Sequence, residues 1–310
     1  MEGSGPMTLS GNILITGGSG TLGQAIIRTA EKGRWDCSIT VYSRSELRQA
    51  ELRQRYPRVR TILGDVRDYD RLAAAAAGRH LVIHAAAMKR IPECEADPGE
   101  CYKTNVAGSA NVVRACLAAG VARCIGISTD KACAAITTYG ASKRMMEGLF
   151  QAAPHGGTVF TLVRYGNVLA SNGSVIPLWR QQAAEGKPLT ITDRRMTRFW
   201  MTERDAVATI ERAARCPAGA IYVPAMAALN VATMASYIAP HSDTVETGLR
   251  SIEKLHEDLV HPFESAGTVQ GGFLLTAGGL AGGELYRSDL APQIEKLAFF
   301  KMLAESEVRE

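Results

Sequence analysis

Short apolar runs alternate with segments of helical periodicity along the first half of the chain. The runs are rich in Ile, Val and Leu and lie at residues 12–16, 38–42, 60–63, 80–84, 124–128 and 160–164. Apolar residues recur at helical spacing between them, notably over 20–32, 100–119 and 139–152. Apolar strands separated by helices predict a doubly wound α/β fold, in which a parallel sheet is covered on both faces.

The second half of the chain is less regular. The pattern predicts a loop over 166–173, helices over 175–185, 205–214 and 294–305, an extended segment over 189–192 and a glycine-rich loop over 278–283. We therefore expect a smaller, C-terminal substrate-binding domain beside the parallel (Rossmann) sheet. The predicted division is a disordered leader at 1–10, a dinucleotide-binding domain at 11–166 to which 198–224 returns, and a substrate-binding domain made of 167–197 and 225–310.

Composition narrows the possible classes of protein. Of the 310 residues, 46% are hydrophobic and 21% are charged, which excludes a disordered chain. The net charge of +4 comes from scattered basic residues, so we expect no nucleic-acid partner. No apolar run reaches the ~18 residues of a membrane span, and we expect no membrane partner. The seven cysteines form no C-x-x-C pair, which favours reduced thiols in a cytoplasmic protein and no metal site.

Three glycines separate the first strand from the first helix. Gly17, Gly20 and Gly23 have the spacing G-x-x-G-x-x-G. Gly17 permits a tight turn, Gly20 lets the backbone approach a pyrophosphate, and Gly23 allows close packing of helix on strand. The helix N-terminus then offers N–H groups and a positive dipole end to phosphate. A dinucleotide-binding loop is predicted.

The end of the second strand indicates which dinucleotide is bound. An acidic residue there would bind the ribose 2′-hydroxyl of NAD, but Ser43 and Arg44 occupy this place and Arg48 follows. Guanidinium groups suit a 2′-phosphate, so we predict NADP. After the third strand, Asp65 and Val66 either hold the adenine or form an ordinary turn.

Candidate catalytic residues cluster after the fifth strand. Tyr139 and Lys143 lie four residues apart, on one face of a helix, where a lysine ammonium can favour the phenolate of the tyrosine. Just upstream, Thr129 can hold a substrate hydroxyl, Asp130 is a candidate acid and Lys131 a candidate base. Without the tyrosine nearby, Asp130 and Lys131 would be read as a surface ion pair.

These motifs together resemble the extended short-chain dehydrogenase/reductase superfamily, and within it the inverting UDP-N-acetylglucosamine 4,6-dehydratases. The resemblance runs from about residue 11 to about residue 259, and the Asp130-Lys131 pair is its most specific element, since retaining dehydratases carry Asp-Glu there. Its other elements are the glycine loop, Asn105, Tyr139 with Lys143, and the segments 42–47, 84–89, 128–132, 164–168, 196–200 and 253–257.

The resemblance implies a reaction with an internal redox cycle on a nucleotide sugar. Tyr139 takes the proton of the 4-hydroxyl while hydride passes from C4 to NADP. Lys131 then removes the C5 proton, Asp130 protonates the departing C6 hydroxyl, and hydride returns to C6. Lys143 binds the nicotinamide ribose. The resemblance also implies a homo-oligomer.

The resemblance extends to residues that bind the two ligands. Implied cofactor-binding residues are Gly17, Ser19, Gly20, Thr21, Leu22, Ser43, Arg44, Arg48, Asp65, Val66, Ala85, Ala86, Lys89, Asn105, Tyr139 and Lys143. Implied substrate-binding residues are Lys89, Asn167, Thr192, Met196, Arg198, Arg250 and Glu253. His84 and His256 are expected in packing roles, and Phe199 and Trp200 in the core.

Two departures from the family and two other functions stay open. Ala134-Ala135 replaces the usual Asn-Pro, and Arg250-Ser251-Ile252-Glu253 lacks the usual Pro-Gly. A sugar-nucleotide epimerase, or a dehydratase that stops at a 5,6-alkene, would share Tyr139 and Lys143 without needing Lys131. A non-catalytic NADP-binding scaffold is a remoter alternative, because both residues of the Tyr/Lys pair are present.

Overall fold

A computed structural model describes residues 9–154, 157–169, 171, 174–277, 282 and 284–307. The predicted leader, apart from its last two residues, and most of the glycine-rich loop at 278–283 lie outside this part of the chain. Within it, no helix is long and apolar enough to cross a lipid bilayer.

The central element is a nine-stranded sheet. The seven parallel strands are β1 (Gly11–Thr16), β2 (Cys37–Ser43), β3 (Arg60–Leu63), β4 (Leu81–His84), β5 (Arg123–Ile127), β6 (Val159–Val163) and β10 (Ile221–Pro224). The other two are β14 (Ala266–Val269) and β15 (Gly272–Leu275). Across the sheet the strands run in the order β14-β15-β10-β6-β5-β4-β1-β2-β3. All six strands predicted in the first half are therefore confirmed, and the chain has the doubly wound parallel fold.

The strand order reverses at β1, because the chain continues from it to β2 and β3 on one side of the sheet and to β4, β5 and β6 on the other. Strand β1 lies between β2 and β4, and it is followed directly by the glycine loop. In a doubly wound sheet, ligands bind where the strand order reverses in this way, outside the carboxyl ends of the strands.

Helices cover both faces of this sheet. They are α1 (Thr21–Thr29), α2 (Glu46–Arg55), α3 (Tyr69–Ala76), α4 (Ile91–Ala96), α5 (Pro98–Tyr102), α6 (Gly108–Ala118), α7 (Thr138–Gln151) and α9 (Glu203–Ala213). Hydroxyls cap several of them: Thr137 accepts a hydrogen bond from the Gly140 amide at 2.9 Å and so fixes the start of α7. A π-helical turn, Lys103–Ala107, joins α5 to α6.

A smaller hydrophobic core lies beside the sheet. It is built by Leu169, Trp179, Leu189, Met234 and Phe299 together with their neighbours. Most of these residues lie on α8 (Val175–Ala184), β8 (Leu189–Ile191), α10 (Val231–Ile238) and α11 (Lys296–Glu307). Six short strands belong to the same half of the chain: β7 (Asn167–Val168), β9 (Thr197–Met201), β11 (Ala228–Asn230), β12 (Thr244–Glu246), β13 (Asp258–Val260) and β16 (Tyr286–Arg287).

The structure differs from the sequence prediction in two places. Strands β14 (Ala266–Val269) and β15 (Gly272–Leu275) extend the central sheet beyond β10, although the prediction assigns 225–310 to the smaller domain. The two strands form an antiparallel hairpin, and β15 also pairs antiparallel with β10, which is distant in the sequence. Periodicity alone does not reveal such a pairing. The predicted loop at 166–173 contains β7, which pairs with β9.

Candidate active site

A cavity of about 880 Å³ opens at the carboxyl ends of the parallel strands. One wall is formed by the glycine loop and the ends of β2, β4 and β5, and the opposite wall by segments of the smaller core. Of the predicted cofactor-binding residues, all except Asn105 line this cavity, and so do all seven predicted substrate-binding residues. Of the five predicted catalytic residues, Thr129, Lys131, Tyr139 and Lys143 line it and Asp130 does not.

The glycine loop has the shape needed to hold a pyrophosphate. Gly17 has φ +70°, and a Cβ there would lie 2.7 Å from the backbone of Ala86. A Cβ on Gly23 would lie 2.2 Å from the Gly18 carbonyl oxygen, so only glycine permits this packing of α1. Gly20 caps the helix without a side chain of its own. The loop therefore fits a dinucleotide as the sequence predicts.

Cationic side chains stand at the end of β2. Ser43 ends the strand, and Arg44 and Arg48 line the cavity just after it. Arg44 lies 3.7 Å from the carboxylate of Asp65, whose hydrogen bonds from Arg67 help hold its pKa below the usual range although burial acts in the opposite direction. The ribose end of the cavity thus carries more guanidinium groups than carboxylates.

Thr129, Asp130 and Lys131 form one hydrogen-bonded cluster. Asp130 Oδ1 accepts a hydrogen bond from Lys131 Nζ at 3.0 Å and another from Thr129 Oγ1 at 2.9 Å. The side chain of Asp130 is fully buried, and its Oδ2 has no hydrogen-bond partner among the described residues. Asp130 therefore lies behind Thr129 and Lys131, which separate it from the cavity.

A second carboxylate faces the same lysine. Glu257 Oε1 lies 3.4 Å from Lys131 Nζ. Burial alone would lower the pKa of Lys131, but attraction to the Asp130 and Glu257 carboxylates outweighs burial and raises the pKa of Lys131 well above its usual range. Lys131 is therefore a charged ammonium at neutral pH, and it must lose a proton before it can act as a base.

Tyr139 lies at the start of α7, beside this cluster. Burial raises the pKa of Tyr139 to about 12, while the charge of Lys131 and a hydrogen bond with Thr129 act to lower it. The spacing of Tyr139 and Lys143 predicts that Lys143 favours the phenolate, but in the structure Lys131 exerts this influence.

Lys143 has a different environment from Lys131. Burial lowers the pKa of Lys143 to about 8, against an opposing effect from Glu147. Its Nζ lies 2.9 Å from the Met146 sulfur. The Glu147 carboxylate is itself engaged by Arg164 at 2.8 Å, which leaves little of its charge for the lysine.

Asn105 joins two parts of the fold. It is 1% exposed, donates to the carbonyl of Met88 and to Ser142 Oγ, and accepts from the Met88 amide. It thereby joins the loop after β4 to α7. Asn105 does not line the cavity, and its contact with the cofactor stays a prediction.

Arginine and glutamate shape the opposite wall. The guanidinium of Arg198 donates to the backbone carbonyls of Thr197, Leu255 and Lys254 at 2.7–3.1 Å, which fixes its orientation. The turn that lacks Pro-Gly is closed by hydrogen bonds in both directions, because the Arg250 amide donates to Glu253 Oε2 and the Glu253 amide donates to the Arg250 carbonyl.

Two residues at the site have roles that the sequence does not predict. Glu257 belongs to one of the family motifs, but its contact with Lys131 joins segments that are far apart in the sequence. Trp200 is buried, as expected for a core residue, but it also lines the cavity. His84 behaves as expected for a packing residue, since it is buried between the hydroxyls of Thr16 and Ser109. The described residues contain no group of three or more His, Cys, Asp or Glu side chains that could hold a metal ion.

Comparison with known proteins gives three findings. The polysaccharide biosynthesis protein family matches residues 13–276. An inverting UDP-N-acetylglucosamine 4,6-dehydratase from Campylobacter jejuni subsp. jejuni serotype O:2 is 42% identical over 82% of this chain and 78% of its own length. A UDP-glucose 4-epimerase from Rickettsia massiliae is 37% identical over 84% of this chain and 80% of its own length.

Among solved structures, Pen from Bacillus thuringiensis is similar over almost the whole chain. The TM-score is 0.88 at 31% identity, and the match covers 96% of this chain and 98% of that one. The glycine loop, the Tyr139/Lys143 pair on one helix and the family match over most of the sequence agree with one another. The chain therefore belongs to the polysaccharide biosynthesis protein family, within the extended short-chain dehydrogenase/reductase superfamily.

Proposed function

We propose that this protein is an inverting UDP-N-acetylglucosamine 4,6-dehydratase, a lyase that oxidises C4 of the sugar, removes water across C5 and C6, and reduces C6 again. The observation that carries the proposal is the Asp130–Lys131 ion pair, 3.0 Å long, in which Lys131 lines, with Tyr139, a cavity that fits a dinucleotide and Asp130 lies buried behind it. The similarity to the Campylobacter dehydratase supports the same substrate.

Tyr139 and Thr129 act first in the proposed sequence. Thr129 orients the sugar 4-hydroxyl, and Tyr139, as the phenolate that the charge of Lys131 favours, removes its proton as C4 is oxidised. A nicotinamide held in the cavity would supply the redox chemistry as an acceptor and donor of hydride. The resulting 4-ketone makes the neighbouring C5 proton acidic, which is the condition for the elimination that follows.

Lys131 and Asp130 carry out the elimination. Transfer of a proton from Lys131 Nζ to Asp130 along their hydrogen bond leaves a neutral amine and a carboxylic acid, so one bond prepares both the base and the acid. The amine removes the C5 proton. Because Asp130 does not reach the cavity, its proton passes to the departing C6 oxygen through the hydroxyl of Thr129. Both residues then have the charges with which they began. A proton adds to C5 on the opposite face as C6 is reduced, which balances the proton that Tyr139 took from the 4-hydroxyl.

We propose NADP as the cofactor. Ser43, Arg44 and Arg48 stand at the end of β2, where NAD-binding proteins of this fold place a carboxylate. A planar guanidinium can donate two hydrogen bonds to a 2′-phosphate. The glycine loop would hold the pyrophosphate, and Lys143 would bind the nicotinamide ribose.

We propose that the two ligands are held by different parts of the chain, which correspond to the two hydrophobic cores. Residues 11–166 and 198–224 would hold the dinucleotide, and the segments that flank Thr192, Met196, Arg198, Arg250 and Glu253 would hold the nucleotide sugar. A cytoplasmic location fits the seven cysteines, which are all free thiols. A homo-oligomer is proposed from the resemblance to the family.

A 4-epimerase is the second candidate, and the similarity to the Rickettsia epimerase favours it. An epimerase needs Tyr139 and a nicotinamide, but it has no use for a base that attacks C5. It would convert the substrate without loss of mass.

Incubation of the protein with UDP-N-acetylglucosamine and mass spectrometry of the products separates these functions. The dehydratase proposal predicts a product that is lighter by one water. Conversion without a mass change would support the epimerase. No reaction with this sugar, but water loss from another nucleotide sugar, would correct the substrate and leave the reaction type in place.

A further inference from the structure

Glu257 is a buried carboxylate that three cations share. It lies 3.4 Å from Lys131, 3.8 Å from Arg198 and 3.9 Å from Lys254. The residue is 3% exposed. None of these cations forms a close bidentate pair with it, and Oε2 has no hydrogen-bond partner among the described residues. A buried carboxylate oxygen without a hydrogen bond is costly, so the place of Glu257 among three cations calls for an explanation.

The backbone of Glu257 is firmly anchored. Its amide donates to Ser288 Oγ at 3.0 Å, and the Ser288 amide donates to its carbonyl at 2.9 Å. Ser288 Oγ in turn shares a hydrogen bond with Thr197 Oγ1 at 2.7 Å, next to Arg198. The carboxylate is therefore held on the same framework as Arg198, which lines the cavity, although Glu257 itself does not.

Lys131 thus bridges two carboxylates from different parts of the fold. Asp130 belongs to the turn after β5, while Glu257 directly precedes β13. The charged or titratable groups around Lys131 are Asp130, Glu257, Arg198 and Tyr139. Without Glu257, Lys131 would keep a single carboxylate partner and would face the positive charge of Arg198 uncompensated.

We propose that Glu257 is a positioning residue for the base: it holds the Lys131 side chain at the wall of the cavity and keeps it charged until the reaction requires a neutral amine. Arg198 contacts the same carboxylate, so a diphosphate that draws Arg198 towards itself would alter the charge around Glu257 and Lys131 together. The catalytic meaning of this inference rests on the proposed dehydratase function, but the position and charge of Lys131 can be measured without turnover.

Competitive labelling with acetic anhydride tests the proposal directly. The reagent acylates neutral amines only, and the labelling of each lysine can be followed by peptide mass spectrometry over a range of pH. The exposed Lys301 provides an internal reference. In the wild-type protein Lys131 should label at higher pH than Lys301. In Glu257→Gln the labelling curve of Lys131 should move to lower pH by about 1–3 units, the usual effect of losing an opposite charge at this distance.

Two further variants make the result specific. Asp258→Asn removes a charge from the adjacent residue, which lies 3.9 Å from Lys254. Asp258 is not among the charged groups around Lys131, so this substitution should leave the Lys131 curve in place. Glu257→Asp keeps the charge and should recover much of the wild-type curve. An unchanged Lys131 curve in folded Glu257→Gln would overturn the proposal.

If Glu257→Gln does not fold, the labelling curve of the wild-type protein is the test. Labelling of Lys131 at the same pH as Lys301, or at a lower pH, would also overturn the proposal. A wild-type protein that does not dehydrate a nucleotide sugar would refute the function without affecting the labelling result. In an active enzyme, Glu257→Gln should shift the pH dependence of the dehydration rate in the same direction as the labelling curve.

Discussion

Two buried lysines on the wall of one cavity have opposite protonation behaviour. Lys131 touches the carboxylates of Asp130 and Glu257, and its pKa lies above the usual range. Lys143 packs on Met146, and its pKa is lowered to about 8. Burial opposes the charge of both, so the difference comes from carboxylates in direct contact.

The difference extends to the residues around each lysine. Near Lys143, burial and the charge of this lysine lower the pKa of His84 to about 3. The Glu147 carboxylate accepts hydrogen bonds from Arg164 and Ser128. Lys131 is therefore paired with carboxylates in direct contact, whereas burial pushes Lys143 and His84 towards their neutral forms. The surroundings of Lys131 suit proton transfer, and those of Lys143 suit a binding site for an uncharged ribose.

The largest expected effect comes from removing one lysine at a time. Lys131→Ala should lower the dehydration rate by about 10²–10⁴-fold, the usual contribution of a general base, and leave dinucleotide affinity nearly unchanged. Lys143→Met should weaken dinucleotide binding. Product formation and binding calorimetry on both variants provide the test, and full activity of Lys131→Ala would remove the basis for the comparison.

A smaller effect, on dinucleotide affinity, is expected from a substitution at the cofactor end of the cavity. Arg44→Glu replaces a cation with the carboxylate that suits a free ribose 2′-hydroxyl, so the affinity for NADP should fall by about tenfold or more while that for NAD does not fall. Arg53→Glu is the matched control, since this residue lies on α2, the helix that follows Arg44, and bonds to Thr61 away from the cavity. Calorimetric titration with each dinucleotide measures the change. A wild-type preference for NAD would contradict the cofactor proposal.

The stability of the fold should depend on pH through His84, which lies in the surroundings of Lys143. His84 has its pKa lowered to about 3 in the folded protein, so the unfolded chain binds a proton more readily below about pH 6.5. This residue therefore contributes stability above pH 6.5 that is lost as the pH falls, about 2 kcal/mol between pH 7 and pH 5. Urea unfolding of wild type and His84→Gln at both pH values tests this. An equal loss of stability in the two proteins would show that His84 is not responsible.

The smallest expected effect concerns the loop that joins the two regions. Ala134 has φ +43°, in the left-handed region, where the family usually has asparagine. An alanine there costs roughly 1 kcal/mol. Ala134→Gly should therefore raise the free energy of unfolding by about 0.5–1 kcal/mol, whereas Ala135→Gly should not. Urea unfolding at pH 7 is the measurement, and a decrease for Ala134→Gly would contradict the argument.

The sequence predicts the dinucleotide half of the fold well, because local patterns determine it. Six apolar runs become six neighbouring parallel strands, and the spacing of Tyr139 and Lys143 places both on α7. Ser43 and Arg44 reach the cavity because they follow directly on β2. In each case the relevant information lies within a short stretch of chain.

Contacts between distant segments could not be predicted in this way. The pairing of β10 with β15, the contact of Glu257 with Lys131 and the burial of Asn105 against Met88 and Ser142 depend on tertiary packing. The spacing of Tyr139 and Lys143 suggests that these two groups act on each other, but packing gives Lys143 a methionine as its neighbour and gives Tyr139 the charge of Lys131. Periodicity and motif spacing carry no information about such neighbours.

The most direct test of the account is the reaction with UDP-N-acetylglucosamine in deuterium oxide, followed by NMR of the product. If Lys131 removes the C5 proton and the hydride returns to C6, the product will have a C6 methyl group, deuterium at C5 and a ketone at C4. A product that keeps its C6 hydroxyl and its original C5 hydrogen would contradict the central role given to the Asp130–Lys131 pair.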